Sequence, residues 1–152
     1  ERRTQELERR RYFGMTEISE FTAFDDTEDS DTVHSSIPSA LYSSEKVMKN
    51  GDVFEGRDKY LWLYKKVRLP EKKENCQTVG IFDFGKTGGG NTSGFESLLY
   101  VNGKPYQGVD TNHGDVVFDD FSGEETELVC FGAVLRAAAN REILHTNSAV
   151  LR

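Results

Sequence analysis

Between residues 60 and 131 the chain is a succession of short segments that alternate as strands do, separated by turn residues and with no helical stretch among them. The longest is YLWLYKKVRLP, 60–70. It sets Leu61, Leu63, Val67 and Leu69 on one face, interrupted only by Lys65, and Tyr60, Trp62 and Tyr64 on the other. Pro70, which has no N–H to give a ladder, ends it. TVGIFDF, 78–84, is a second segment rich in β-branched and aromatic residues. SLLYV, 97–101, turns through Asn102-Gly103 into KPYQG, and this dipeptide predicts a type I′ hairpin because both residues tolerate positive φ. DVVFDDF, 115–121, and TELVCF, 126–131, complete the set. Strands at this spacing with no helices between them predict an antiparallel β-sandwich, not a parallel α/β sheet.

The flanks read differently. Residues 1–13, ERRTQELERRRYF, have the texture of a short charged helix, with Arg2–Glu6 and Glu6–Arg10 at i,i+4 and Leu7 the sole aliphatic side chain. Residues 14–46 read as an acidic irregular segment. Within it DDTEDSD, 25–31, carries five carboxylates in seven positions. It lacks the central Gly and terminal Glu of an EF-hand loop, so a solvated acidic loop is the simpler reading. The sandwich core is expected over 47–132. After it, RAAANREIL, 136–144, has helical composition, which makes 133–152 a helical tail or the start of a following domain.

A length of 152 residues suits one domain with a real core. Aromatics at 11% argue against wholesale disorder, although 30% of the residues are charged. A net charge of -7 argues against a nucleic-acid partner, which needs a basic face to displace counterions. No apolar run approaches the roughly 20 residues of a membrane helix. No signal peptide precedes Glu1, so the cytoplasm is the expected location; a first residue other than Met suggests a piece of something longer.

Several motifs carry less than they promise. Residues 80–87, GIFDFGKT, fit the phosphate-loop pattern, but the variable positions are strand-like and three glycines follow where a helix should begin. His113 and Asp115 suggest a metal pair, yet zinc takes three or four ligands, and His34 and His145 lie in unlike segments. Asn91-Thr-Ser is a glycosylation acceptor only in a secreted chain. Cys76 and Cys130 read most simply as buried thiols; a disulfide stays open because the sequence does not give their separation.

Two strings are more specific. FEGRDKYLWL, 54–63, enters the strand that ends at Pro70, and LYVNGKPYQGVDTNH spans 99–113. Together they resemble the N-terminal β-domain of the glycoside hydrolase family 38 α-mannosidases, microbial and cytosolic branch. There a segment like WGGRDxHxWF runs into a strand ending at Pro, and a segment like QGxDxNH follows a YVNG hairpin. Gly56, Arg57, Asp58 and Trp62 match the first pattern; Gln107, Gly108, Asp110, Asn112 and His113 match the second. Phe54, Glu55 and Tyr60 depart from it, standing for Trp, Gly and His. The resemblance covers about residues 1–12 and 50–131, good in the two motifs and poor between them.

The resemblance implies a jelly-roll, galactose-binding-like sandwich, to which the charged opening and the tail, read from their residues, add short helical segments at both ends. It precedes the catalytic domain of a retaining, zinc-dependent exo-α-mannosidase. The zinc ligands and the carboxylate nucleophile belong to that following domain, so no catalytic residue, metal or cofactor is expected here and the fragment alone should be inactive. The expected partners are the catalytic domain and a mannose-containing glycan. Arg57 and Asp58 are candidates for an ion pair at the domain interface, the alternative being a strand-end pair that fixes a turn. Gln107, Asp110, Asn112 and His113 are candidates for facing the catalytic pocket or the domain seam, the alternative being self-capping of their turn. Trp62 is most simply core; a sugar-stacking platform is the sharper alternative. A free-standing carbohydrate-binding module, or an interaction domain of another multidomain hydrolase, is the competing function.

Overall fold

The structure, a computed structural model, describes residues 16–27, 33–52, 54, 59–84, 95–110, 112–134 and 150–151. The helical segments expected at 1–13 and 136–144, most of the acidic run after Thr27, and the loop at 85–94 lie outside the described residues.

The described residues are mostly strands, paired antiparallel throughout. Its main sheet has six strands: β1 (Glu20–Asp25), β2 (Val47–Lys49), β3 (Lys59–Arg68), β6 (Phe95–Val101), β7 (Lys104–Val109) and β9 (Glu125–Val134). Their order is β2-β1-β3-β9-β6-β7. The pairing of β3 with β9 is ten residues long, from Lys59↔Val134 to Arg68↔Glu125. A two-stranded ribbon of β5 (Val79–Ile81) and β8 (Asp115–Val117) forms a second, smaller layer. β4 (Cys76–Gln77) pairs with β10 (Val150–Leu151).

Period-2 alternation explains how one sheet acquires two buried faces. On the inner face Phe21, Ala23, Leu61, Leu63, Leu99, Val101, Leu128 and Cys130 pack against Phe82, Phe84, Val116 and Phe118 of the ribbon layer. On the outer face Phe24, Trp62 and Val129 pack under Leu41, which sits in a single 3-10 turn, Ser39–Leu41. Trp62 and Leu41 are both fully buried. Each such large side chain stabilises the fold by about 1.5–3 kcal/mol. The division of β3 into a Leu face and an aromatic face follows its sequence pattern.

The segment at 14–46 is not irregular throughout, because β1 lies inside it and pairs with the core strand β3. EFTAFD buries Phe21 and Ala23 on one side and Phe24 on the other, and this two-sided burial removes the alternation that marks a half-exposed strand. Likewise β9 runs two residues past the expected boundary at 132, and 150–151 is extended.

The Asn102-Gly103 turn has φ of 49° and 80°, as a type I′ hairpin requires. Asn102 also ties the hairpin to β9: its Oδ1 accepts the Glu127 N–H at 2.9 Å, and its own N–H donates to the Glu127 carbonyl at 2.9 Å.

Candidate functional site: an open polar cleft beside the ribbon layer

The loop that follows β7 is held by one carboxylate. Asp110 Oδ1 accepts the backbone N–H of Asn112 at 2.7 Å and of His113 at 2.8 Å. The His113 Nδ1 lies 3.0 and 3.1 Å from the two Asp110 oxygens. Burial alone pushes the Asp110 carboxyl up. The two backbone N–H groups and the imidazole outweigh it and hold the group below its ordinary value. An ionised carboxylate only accepts, so Nδ1 is the donor and carries the proton, which leaves Nε2 as an outward-facing nitrogen. Asp110 therefore caps its own turn and sets the direction of His113 at the same time.

The loop then passes close to the second layer at Gly114. A Cβ on Gly114 would stand 2.6 Å from the Phe82 carbonyl oxygen, while the Phe82 N–H donates to the Gly114 carbonyl at 2.9 Å. Only glycine permits that approach.

A β-bulge delivers the remaining residue. Leu99 faces Gln107 and Tyr100 faces Pro105, so the register leaves Tyr106 without a partner. Continued from the hairpin without the bulge, the ladder would set Gln107 opposite Leu98, on the outer face. With the bulge Gln107 lies opposite the inner-facing Leu99, and its Nε2 donates to the Asp115 carbonyl at 3.1 Å. Tyr106, the extra residue, lies parallel to Phe118 at 6.0 Å between ring centroids.

These pieces enclose an open cleft of about 550 Å³. Gln107, Asn112, His113, Gly114, Asp83 and Asp115 line it, over Ile81 and Phe82. Three of the residues picked out by the second motif thus share one rim, and Asp110 stiffens that rim from behind. Arg57 and Asp58 lie outside the described residues. Trp62 is at the opposite, outer face and wholly enclosed, so it offers no ring face for stacking on a sugar.

A second polar constellation, which sequence reasoning missed, explains Trp62. Its Nε1–H donates to Asp26 Oδ2 at 3.0 Å. The same oxygen accepts the His34 backbone N–H at 2.7 Å, and Asp26 Oδ1 lies 2.6 Å from His34 Nδ1. Asp26 is 1% exposed, so this member of the acidic run is not a solvated carboxylate. Burial works against its charge, but the His34 and Trp62 hydrogen bonds together lower its pKa from the ordinary value. The group anchors the segment that carries Leu41 across Trp62, and Tyr42 Oη donating to Glu127 Oε1 at 2.7 Å secures that segment farther along.

Among the described residues neither His34 nor His113 hydrogen-bonds a serine, threonine or cysteine. No three His, Cys, Asp or Glu side chains among the described residues are placed to hold a metal ion. Cys76 and Cys130 are free and buried, and burial pushes the Cys130 thiol up to about 12, far from a reactive thiolate. A second cavity of about 250 Å³ lies among Ile18, Val67, Leu69, Phe82, Phe118 and Leu128; it is mostly apolar and holds no convergent polar set. No helix among the described residues is long and apolar enough to cross a membrane.

No protein-family profile, curated protein or solved structure matches this sequence.

Proposed function

We propose that this chain is the N-terminal β-domain of a retaining, zinc-dependent exo-α-mannosidase of glycoside hydrolase family 38, acting as an accessory to a following catalytic domain. The observation that carries the reading is the gathering of Gln107, Asn112 and His113, all from the QGxDxNH-like string, on one rim of an open cleft. An antiparallel sheet with a YVNG hairpin feeding that string agrees with it. In this reading the rim faces the catalytic pocket or the seam between domains, and the zinc and the nucleophile come from the neighbour. Two free buried thiols suit a reducing, cytoplasmic setting.

The decisive test is the coding sequence beyond Arg152. Several hundred further residues containing a His-x-Asp zinc motif support the reading; a stop codon there overturns it. The chain alone, incubated with an aryl α-mannoside and zinc, is expected to show no turnover, and turnover above background places catalysis within it. The second reading, a free-standing carbohydrate-binding module, is favoured by the openness of the same cleft. It predicts sugar binding together with a coding sequence that ends at this domain.

A further inference from the structure

The sequence holds two Asn-Gly pairs, Asn50-Gly51 and Asn102-Gly103. Glycine has no Cβ to shield its backbone nitrogen, so that nitrogen can reach back to the side-chain amide of the asparagine before it. The reaction needs a side chain free to swing over the nitrogen. The fold treats the two pairs differently. Asn102 is held in the left-handed region at φ 49°, and its Oδ1 is anchored on the Glu127 N–H of the central strand β9. The Asn50 side chain has no such anchor. Its Nδ2 donates at 2.7 Å to Oε1 of Glu17, an exposed residue outside the sheet. Its Oδ1 is buried and accepts no hydrogen bond among the described residues, and a buried carbonyl without a donor is a poorly satisfied group. Gly51 is exposed, gives its N–H to no acceptor among the described residues, and has open space where a Cβ would stand. Base can therefore reach that N–H.

We propose that Asn50 is a deamidation site, a slow and irreversible switch on the edge strand β2. Base takes the Gly51 amide proton, and the nitrogen forms a bond to Asn50 Cγ. The Cγ–Nδ2 bond breaks, and the amide nitrogen leaves as ammonia with a proton from water. Water then opens the succinimide. Attack at Cγ gives aspartate; attack at the main-chain carbonyl gives isoaspartate, which lengthens the backbone by one carbon. Aspartate faces the Glu17 carboxylate where an amide N–H had been, so attraction turns to repulsion. Isoaspartate puts its extra carbon inside the turn that Lys49 and Asp52 close, where Asp52 donates its N–H to the Lys49 carbonyl at 2.9 Å and accepts the Lys49 N–H at 2.8 Å. β2 meets β1 through three pairs, Glu20↔Lys49, Phe21↔Met48 and Thr22↔Val47, and has no strand on its other side among the described residues. Its loosening bares the edge of β1 and removes Met48 from the core cluster.

In the test, the full chain is aged in mildly alkaline buffer and mapped by peptide mass spectrometry, with an isoaspartate-specific methyltransferase as a second readout. The same chain aged in urea, where the fold no longer separates the two pairs, is the reference. A gain of one mass unit at Asn50 at about ten times the rate at Asn102 in the folded chain, with similar rates at the two in urea, supports the site. Equal rates in the folded chain, or a ratio that urea leaves unchanged, overturn it. So does an Asn50 that converts in urea and stays intact in the folded chain. The switch is read by amide exchange. Aged protein, and Asn50→Asp without ageing, should lose protection across 20–22 and 47–49 while the β3–β9 amides keep theirs. Adding Glu17→Gln to Asn50→Asp should restore part of that protection. Exchange that is unchanged after Asn50 has converted overturns the switch. Asn50→Gln, which would have to close a six-membered ring, should age without modification and keep its protection; loss of protection in that variant assigns the effect to ageing elsewhere and overturns the proposal.

Discussion

Replacing Asp26 with alanine removes the acceptor for the Trp62 indole and the His34 backbone N–H inside a closed part of the outer sheet face. A buried donor left unpaired costs free energy, so a loss of about 3 kcal/mol is expected in urea unfolding. Asp26→Asn keeps one acceptor and should lose less. The pKa of Asp26 is lowered in the folded chain, so its contribution is fully present above the unfolded value of about 3.9 and disappears as pH falls through the lower folded value. Stability of the natural chain should therefore drop more steeply below about pH 4 than that of Asp26→Asn, as read from melting temperatures across that range. None of this is legible in DDTEDSD, where five carboxylates look alike. Which of them turns inward is decided by an indole 36 residues away along the chain. Asp110 was easier to place, because an Asx turn involves only near neighbours.

Elements with a local cause were readable, and those with a tertiary cause were not. The hairpin at Asn102-Gly103 needs two positive φ values, and these two residues announce them. Gly103→Val forces a β-branched side chain to φ 80° and should destabilise by about 1–2 kcal/mol. The bulge in β7 left no mark of its own in the sequence. It lets Gln107 join Tyr106 on the inner side of the sheet, where Tyr106 packs on Phe118 and Phe121 of the other layer and Gln107 turns toward the cleft. β1 was hidden for a similar reason, since it is covered on both faces. Glycines in the ribbon layer mark another tertiary constraint. A Cβ at Gly80 would meet the Phe118 ring at 2.5 Å, so Gly80→Ala should cost about 1–3 kcal/mol through overpacking. Gly114→Ala collides instead with a backbone carbonyl that cannot step aside. It should shift the 110–114 loop and change the amide spectrum around the cleft more than that of the β3–β9 pair.

For the molecule as a whole, the six-stranded sheet is the unit of stability, closed on one face by the ribbon layer and on the other by the segment bearing Leu41. Cys130 sits in its middle, opposite Leu63 on one side and Leu99 on the other. In a Cys76→Ser variant, modification of Cys130 by a thiol reagent at about pH 8 should run at the rate of global opening and slow in step with added stability. The order of strands has a further consequence for how the protein is made. β2, β1 and β3 form one group and β6 with β7 another, and β9 alone joins them. That joining strand is synthesised after every other strand of the sheet, and its partner Lys59 is separated from Val134 by most of the domain. A nascent chain that has reached Glu124 thus holds two half-sheets with bare edges facing each other. The domain closes late, by insertion at its centre instead of growth from one side, and the interval before residues 125–134 emerge is when a chaperone would find most to hold.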